Sequence, residues 1–132
     1  MPGCEEAYVS VTASQVGIRG TRCIVGERSA SKADLDSGKV FDDHIGLAWG
    51  GGSLPYRALL PQRVENLAVA GRCISHERDA LDLVRPVPPC MATGYAAGTA
   101  AALALEENVT PRELDVGRLQ ASLRKGGVPF PS

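Results

Sequence analysis

Residues 66–105 constrain the fold of this chain more than any other stretch. They open with Asn-Leu-Ala-Val-Ala-Gly-Arg-Cys-Ile-Ser and close with a long run of alanine and glycine that has few bulky side chains. Residues 67–70 form a continuous apolar run, which is typical of a strand buried on both faces. We therefore interpret this stretch as a short buried strand, a polar loop and a long Gly/Ala-rich helix. Gly71 and Arg72 would lie at the carboxyl end of the strand, where open α/β sheets place their ligands.

Length, composition and charge indicate one domain of ordinary globular type. The 132 residues are 44% hydrophobic and 22% charged, with a formal net charge of −1. A chain of this size buries roughly two-thirds of the surface that its unfolded form exposes. The small net charge gives no reason to expect nucleic acid or an anionic membrane as a partner. The first residues lack the basic segment and apolar core of a secretory signal, so we expect a cytoplasmic protein.

The four cysteines indicate free thiols in a reducing compartment. They show neither Cys-x-x-Cys spacing nor a zinc-like pairing with the two histidines, so we expect no metal site. The cysteines are Cys4, Cys23, Cys73 and Cys90.

Residues 91–105 are the one candidate for a membrane span. They number 15, whereas a span needs about 20 apolar residues. Since they consist largely of alanine and glycine, we expect a buried helix and no membrane segment.

The N-terminal half predicts a small mixed β lobe. Residues 7–13 alternate apolar and polar side chains, as in a half-buried strand. Residues 17–26 resemble a short strand bracketed by glycines, with Arg19 and Arg22 projecting from it. A solvated edge strand explains those arginines equally well. Residues 39–48 carry a weaker strand signal.

Local signals predict shorter elements elsewhere. Ser31 can cap a helix that runs to residue 37 and ends at Gly38. Residues 49–53 are interpreted as a flexible turn, and residues 54–61 as an ordered loop that is too rich in proline for regular structure. Thr110 to Glu113 has the order of a helix start, and Asp115 can cap a helix over residues 116–125.

The long helix carries two features that concern ligands. Gly94 and Gly98 lie a turn apart, and each costs about 0.8–1 kcal/mol relative to alanine, so we expect a strand or a ligand to come close. Pro88 and Pro89 lie in the first turn, where the following backbone donors could point outward towards a carbonyl oxygen or an anion. The same prolines would also simply start a core helix.

The loop between strand and helix concentrates ionisable side chains between two elements that we expect to be buried. Such a loop is a candidate site, although each of its residues could equally be a solvated charge. The polar residues are Arg72, Ser75, His76, Glu77, Arg78, Asp79, Asp82 and Arg85.

Four stretches in this order resemble the C-terminal portion of the FAD-dependent oxidoreductase family, within the glutathione-reductase-like flavoproteins. They are Leu-Pro-Tyr-Arg-Ala-Leu-Leu-Pro at residues 54–61, residues 66–75, Arg-Pro-Val-Pro-Pro-Cys-Met-Ala-Thr-Gly at residues 85–94, and Ala-Ala-Gly-Thr-Ala-Ala-Ala at residues 96–102. Residues 17–27 also resemble the family's substrate-facing segment.

The resemblance implies an FAD cofactor and hydride transfer through flavin. It implies that Gly71 and Arg72 flank the cofactor chain, and that Met91, Ala92 and Thr93 offer backbone N–H groups to the isoalloxazine ring. The adjoining Cys73 and Gly94 complete the cofactor-binding set that it implies. Arg85 matches an arginine ahead of the helix and would orient an anionic substrate or the flavin, and His76 is the second candidate catalytic residue.

The chain lacks the strand, Gly-x-Gly-x-x-Gly and helix that open the family and hold the ADP half of FAD. We therefore expect a fragment, a divergent standalone domain or one subunit of a split enzyme. The fold class would be α/β or α+β with a partial FAD-binding-type fold. Within the single domain 1–132, residues 1–60 would resemble a substrate lobe and residues 61–132 the C-terminal part of an FAD-binding-type domain.

Three functions are compatible with these observations. The first is the C-terminal part of an FAD-dependent oxidoreductase that contributes the isoalloxazine-side half of the flavin site, acts on an unidentified small molecule and binds flavin weakly or not at all in isolation. The second is a non-enzymatic dimerisation or docking module. The third is thiol redox chemistry at Cys73 or Cys90. The expected partner is a second copy of the chain or a separate nucleotide-binding chain.

Overall fold

Four α-helices and two short strands form the regular structure of residues 2–3 and 5–131, the part of the chain that the computed structural model describes. This mixture confirms the predicted α/β or α+β class. Cys4 lies outside the described residues. The helices are α1 (Lys32–Asp36), α2 (Leu81–Val84), α3 (Val87–Glu107) and α4 (Val116–Lys125), and the strands are β1 (His44–Leu47) and β2 (Ser53–Pro55).

The strands expected at residues 7–13 and 17–26 are absent. Residues 7–13 form no strand, and their apolar side chains are open to solvent, with Tyr8 86% and Val11 84% exposed. Alternation alone does not make a strand, because the backbone also needs a neighbouring edge, and none of the described residues provides one here. Residues 17–26 instead join the fold through single contacts, such as the amide of Ile24 with the carbonyl of Cys73 at 2.9 Å.

The sheet lies later in the chain, where β1 and β2 pair antiparallel. His44 faces Pro55 and Leu47 faces Ser53, with an irregularity between them. β1 falls within the weak strand signal of residues 39–48, and residues 49–52 form the predicted turn. The loop assigned to residues 54–61 is ordered and buried as expected, but it is not irregular. It begins within β2 and continues as a 3-10 helix over Tyr56–Ala58.

Local capping determines two of the helices. The hydroxyl of Ser31 accepts a hydrogen bond from the amide of Asp34 at 3.1 Å, and α1 ends before Gly38 as predicted. Asp115 likewise caps α4, which covers the predicted residues. The helix start expected at Thr110 is wrong, because residues 111–113 form a turn. The amide and the hydroxyl of Thr110 both donate to the carboxylate of Glu113, but no helix follows from this contact.

α3 is a half-buried helix with one face in the core. Its buried side is made of small residues, namely Pro89, Thr93, Ala96, Ala100 and Ala104. Met91, Tyr95 and Leu105 lie on the exposed side. A side chain at Gly94 or Gly98 would meet no described atom within 4 Å, so the expected close approach of a strand at these glycines is wrong within the described residues.

The buried strand assigned to residues 67–70 is also wrong. These residues pair with no strand, and Leu67 is 44% exposed. A single hydrogen bond from the amide of Val69 to the carbonyl of Leu59, at 2.8 Å, holds the segment against the loop after β2. Gly71–Cys73 then forms a 3-10 turn.

Two buried polar side chains form hydrogen bonds within the core. Tyr56 is 1% exposed, and its hydroxyl donates to the carbonyl of Pro111 at 2.7 Å, while burial raises its pKa to about 12. The carboxylate of Asp43 is also buried, and it accepts a hydrogen bond from the amide of Arg57 at 2.8 Å and pairs with Arg28.

Over the described ranges, none of the helices has both the length and the apolarity needed to cross a bilayer.

Gly52 allows the turn before β2 to pack against α1. A Cβ atom at Gly52 would lie 2.5 Å from the carbonyl oxygen of Leu35, and backbone of this kind cannot move aside cheaply. Overpacking costs about 1–3 kcal/mol, so Gly52→Ala should lower the free energy of unfolding by that amount in urea titrations.

Gly98→Ala is the matched control. Since its site is open, this substitution should raise stability by about 0.8–1 kcal/mol. Equal stability of the two variants would contradict the packing described for the turn.

Candidate functional site

One buried hydroxyl joins the polar loop to the start of α3. Thr93 is 1% exposed, and its Oγ1 accepts a hydrogen bond from the amide of Gly71 at 3.0 Å. The same hydroxyl donates back to the helix, with the carbonyl oxygens of Pro89 and Cys90 each 3.0 Å away. Gly71 has φ +76°, a conformation that side chains disfavour, so a glycine is suited to this turn. The loop is thereby fixed to the first turns of the helix.

The outward backbone donors expected after Pro88 and Pro89 are absent from the start of α3. Both prolines lack an N–H, and the amide of Cys90 already donates to the carbonyl of Pro86 at 3.1 Å. Because the helix begins at Val87, the amides from Met91 onward fall within its internal hydrogen-bonding pattern. A ligand at this end of α3 would therefore meet side chains and helix surface and few free amides.

An apolar groove of about 520 Å³ lies along the first two turns of α3. Trp49 is 58% exposed and Met91 is 69% exposed, so the rim of the groove is open to solvent. The amide of Trp49 donates to the carbonyl of Leu83 at 2.8 Å, which fixes the turn beside α2. The residues that line this apolar groove are Leu47, Ala48, Trp49, Pro88, Pro89, Met91, Ala92, Tyr95, Gly126, Gly127, Val128 and Pro129.

The C-terminal tail forms one wall of the apolar groove. Phe130 holds the tail in place, because its ring packs edge-on against His44 with centroids 4.9 Å apart and lies 4.5 Å below the guanidinium carbon of Arg124. Gly126 lies directly against the hydroxyl end of Tyr95, where a larger residue would collide with the ring. The tail up to residue 131 is thus an ordered part of the groove.

A second depression, the cationic cleft, has a volume of about 370 Å³. It lies between residues 20–23 and the loop after Gly71. Its lining contains three guanidinium groups and one imidazole but no carboxylate. The lining residues are Gly20, Thr21, Arg22, Cys23, Arg72, His76, Arg78 and Leu81.

The structure divides the predicted site residues among several places. Arg72 and His76 line the cationic cleft, and Met91 and Ala92 line the apolar groove. Gly71 and Thr93 form the buried junction described above. Three further residues lie elsewhere: Cys73 is exposed on the loop, Gly94 is exposed on α3, and Arg85 pairs with Asp82 at 2.7 Å.

The two residues predicted to be catalytic do not act together in this structure. Among the described residues, no hydrogen bond or ion pair joins Arg85 to His76. The Nδ1 atom of His76 instead lies 2.7 Å from the carbonyl oxygen of Glu77. Arg85 lines neither the apolar groove nor the cationic cleft.

Sequence reasoning missed three contributors to these sites. Arg22 lies 50 residues before Arg72 in the chain, yet both line one cleft. Trp49 and the tail residues 126–129 had no local signal for a site. The signals that could have placed Arg22 at a site were the resemblance of residues 17–27 to the family's substrate-facing segment and the glycines that bracket this segment.

The thiol of Cys90 is not an activated nucleophile. Burial raises the pKa of this thiol, and the nearby Arg72 only partly opposes that effect. Cys90 also donates to the carbonyl of Arg85 at 3.3 Å. Reactive cysteines have lowered pKa values, so the raised pKa of Cys90 does not favour thiol redox chemistry at this residue.

In the part of the chain described, no group of three His, Cys, Asp or Glu side chains could hold a metal ion.

Residues of both depressions lie in the part of the chain that matches a known protein family. Residues 49–123 match the family model described as FAD dependent oxidoreductase, and this match covers more than half of the chain. The chain therefore belongs to the FAD dependent oxidoreductase family. The matched range includes Trp49, the loop after Gly71 and the whole of α3. Comparisons with curated proteins and with solved structures gave no match.

The Thr93 junction can be tested by replacing the residue with valine. Thr93→Val keeps the shape but removes the acceptor for the amide of Gly71, and an unsatisfied buried donor costs about 1–3 kcal/mol. We expect lower stability and loss of hydrogen-exchange protection at the Gly71 amide.

Thr93→Ser provides the comparison, because it retains the hydroxyl and should retain protection at Gly71. Equal exchange at Gly71 in both variants would show that the hydroxyl does not hold the loop.

The raised pKa of Cys90 predicts slow alkylation near neutral pH. Less of the thiol is ionised at a given pH, so Cys90 should react with iodoacetamide more slowly than the exposed Cys23 and Cys73, and its rate should rise only at more alkaline pH. Peptide mass spectrometry over a pH series would measure this. Fast labelling of Cys90 at pH 7 would contradict the burial described here and restore the thiol redox hypothesis.

Proposed function

We propose that this chain is the C-terminal part of an FAD-dependent oxidoreductase and that its apolar groove contributes the isoalloxazine-side half of the flavin site. The observation that supports this most directly is the open groove along the start of α3. Its exposed Trp49, Met91 and Tyr95 leave apolar surface that a flat ring would cover. All three residues fall within the range that matches the family.

The residues of the apolar groove fit a flavin ring. The ring is flat and aromatic, and pockets for such ligands are lined mostly by apolar and aromatic side chains. Trp49, Met91 and Tyr95 would hold it, and Ala92 would let it come close to the helix. When bound, the flavin would supply hydride-transfer chemistry.

The direction of α3 adds an electrostatic contribution. Pro88 and Pro89 line the apolar groove, so the positive end of the helix dipole faces it. Negative charge within the groove is therefore stabilised without a charged side chain.

The chain does not contain the phosphate-binding motif for the other half of FAD. No Gly-x-Gly-x-x-Gly occurs in the sequence, so ring contacts would provide most of the affinity. We therefore expect that flavin is lost on dialysis of the purified chain. A second chain carrying that motif would complete the cofactor site.

The single tryptophan gives a direct test of ring binding. Trp49 is the only tryptophan, so its fluorescence reports on the apolar groove alone. Titration with riboflavin should quench it with a dissociation constant of about 0.1–1 mM, or about 4–5.5 kcal/mol of binding free energy. N-acetyltryptophanamide corrects for absorption by the ligand.

Two substitutions on α3 provide the matched pair. Met91→Glu places a charge in the groove and should abolish saturable quenching. Leu105→Glu lies about 20 Å further along the helix, at about 1.5 Å per residue, and should leave quenching unchanged. Unsaturable quenching of the parent chain, or equal behaviour of the two variants, would refute ring binding in the groove.

A second candidate is a docking module without a cofactor. The exposed face of α3 favours it, because Val87 is 70%, Met91 69% and Leu105 84% exposed, and a second copy could cover such a face. Light scattering separates the two functions, since a dimer that does not bind riboflavin supports docking. A monomer that does not bind riboflavin would count against both.

A further inference from the structure

Three arginines without carboxylate partners converge on the cationic cleft. Five arginines outside the cleft form ion pairs with Asp or Glu side chains, and these are Arg28, Arg57, Arg85, Arg112 and Arg118. The other three arginines outside the cleft, Arg19, Arg63 and Arg124, have no such pair within the described residues and do not share a depression. Within the described residues, Arg22, Arg72 and Arg78 have no such pair, and all three line the cleft. A protein surface ordinarily mixes charges of both signs, so this concentration of one sign is a feature that needs a partner.

The walls of the cleft are fixed by backbone contacts. The amide of Ile24 donates to the carbonyl of Cys73 at 2.9 Å, and the thiol of Cys23 lies 3.7 Å from the carbonyl oxygen of His76. Residues 20–23 also lie tight against Leu81, because a Cβ atom at Gly20 would fall 2.7 Å from its Cδ2. The guanidinium groups thus project from two segments that are held together at defined points.

The nearby carboxylates are directed elsewhere. Asp82 is paired with Arg85. Asp79 does not line the cleft, and it adds to the raised pKa of Lys32 on α1, of which the hydrogen bond to Asp36 is the first cause. Glu77 does not line the cleft, and its carbonyl oxygen is the group that meets His76. None of these three carboxylates therefore lines the cleft or forms an ion pair with one of its arginines.

The geometry points to a binding site for a small ligand with two oxyanion groups. Guanidinium forks match carboxylate and phosphate oxygens through paired hydrogen bonds, and three of them can engage two such groups at once. Nδ1 of His76 donates to the carbonyl oxygen of Glu77 at 2.7 Å, so the anion-binding groups of the cleft are its arginines. A volume of about 370 Å³ is ample for a small dianion.

This ligand binds outside the apolar groove, because the two depressions share no lining residue. The inference therefore goes beyond the proposed function and does not require flavin in the groove. The source we expect is a small organic acid, as substrate or effector, whose carboxylates are the two oxyanion groups. The diphosphate of a nucleotide carries the same chemistry, but beside Arg72 it would belong to the cofactor chain that the family resemblance implies. The experiment below distinguishes them.

Isothermal titration calorimetry on the full chain tests the site with defined anions. Succinate represents the dicarboxylate, pyrophosphate represents the diphosphate, and acetate at matched ionic strength is the reference. We expect succinate to bind at least about tenfold more tightly than acetate, with affinity falling as salt is raised. Tighter binding of pyrophosphate than of succinate would overturn the organic acid as the source and assign the cleft to the cofactor's diphosphate.

Arginine-to-glutamine variants locate the binding. Arg72→Gln and Arg78→Gln should each weaken binding by about tenfold or more. Arg63→Gln removes the same charge from an exposed arginine outside the cleft and should change the affinity less than about twofold. All three positions are exposed, so the variants should fold, and urea unfolding would check this.

Two results would overturn the site. In the first, neither dianion binds more tightly than acetate. In the second, Arg63→Gln weakens binding as much as Arg72→Gln, which would show attraction to overall charge without a defined site.

Discussion

The hydrogen bond between the amide of Gly71 and the hydroxyl of Thr93 fixes the relation between the two depressions. It lies between the loop that carries Arg72 and the helix whose first turns carry Met91. On one side of this junction the loop continues into the cationic cleft, and on the other side α3 forms the wall of the apolar groove. Because Thr93 is buried, its hydroxyl and the loop amide must satisfy each other. A change at this contact therefore affects both depressions at once.

Elements whose determinants are local were predicted well. Ser31 and Asp115 cap their helices with their own side chains, and α4 follows the predicted bounds. The strands predicted at residues 7–13, 17–26 and 67–70 failed, because a strand depends on a partner that the sequence does not name, whereas the signal at residues 39–48 does contain β1. Residues 67–70 have the apolar run of a buried strand, yet no described strand lies beside them. No strand comes close to Gly94 or Gly98 either, since both lie on an open helix face.

The residues of the candidate site were likewise predictable only in part. The sequence pointed to Arg72 and His76 through the density of charges in one loop, and to Met91 and Ala92 through the family resemblance. It could not show that Arg72 and Met91 face different depressions, because that depends on the direction of each side chain in the folded chain. Arg22 and Trp49 were missed because tertiary contacts alone bring them to these surfaces. Family membership came from residues 49–123, whereas the cleft draws on residues outside that range.

Chemical-shift mapping of backbone amides tests most directly whether the chain carries two separate sites. Riboflavin should perturb Trp49, Met91, Ala92 and Tyr95, whereas the dianion should perturb residues 20–23, Arg72, His76 and Arg78. The Gly71 amide, between them, should move little with either ligand, because its bond to Thr93 is kept. Perturbation of one common set of amides by both ligands, or of neither set, would contradict the account.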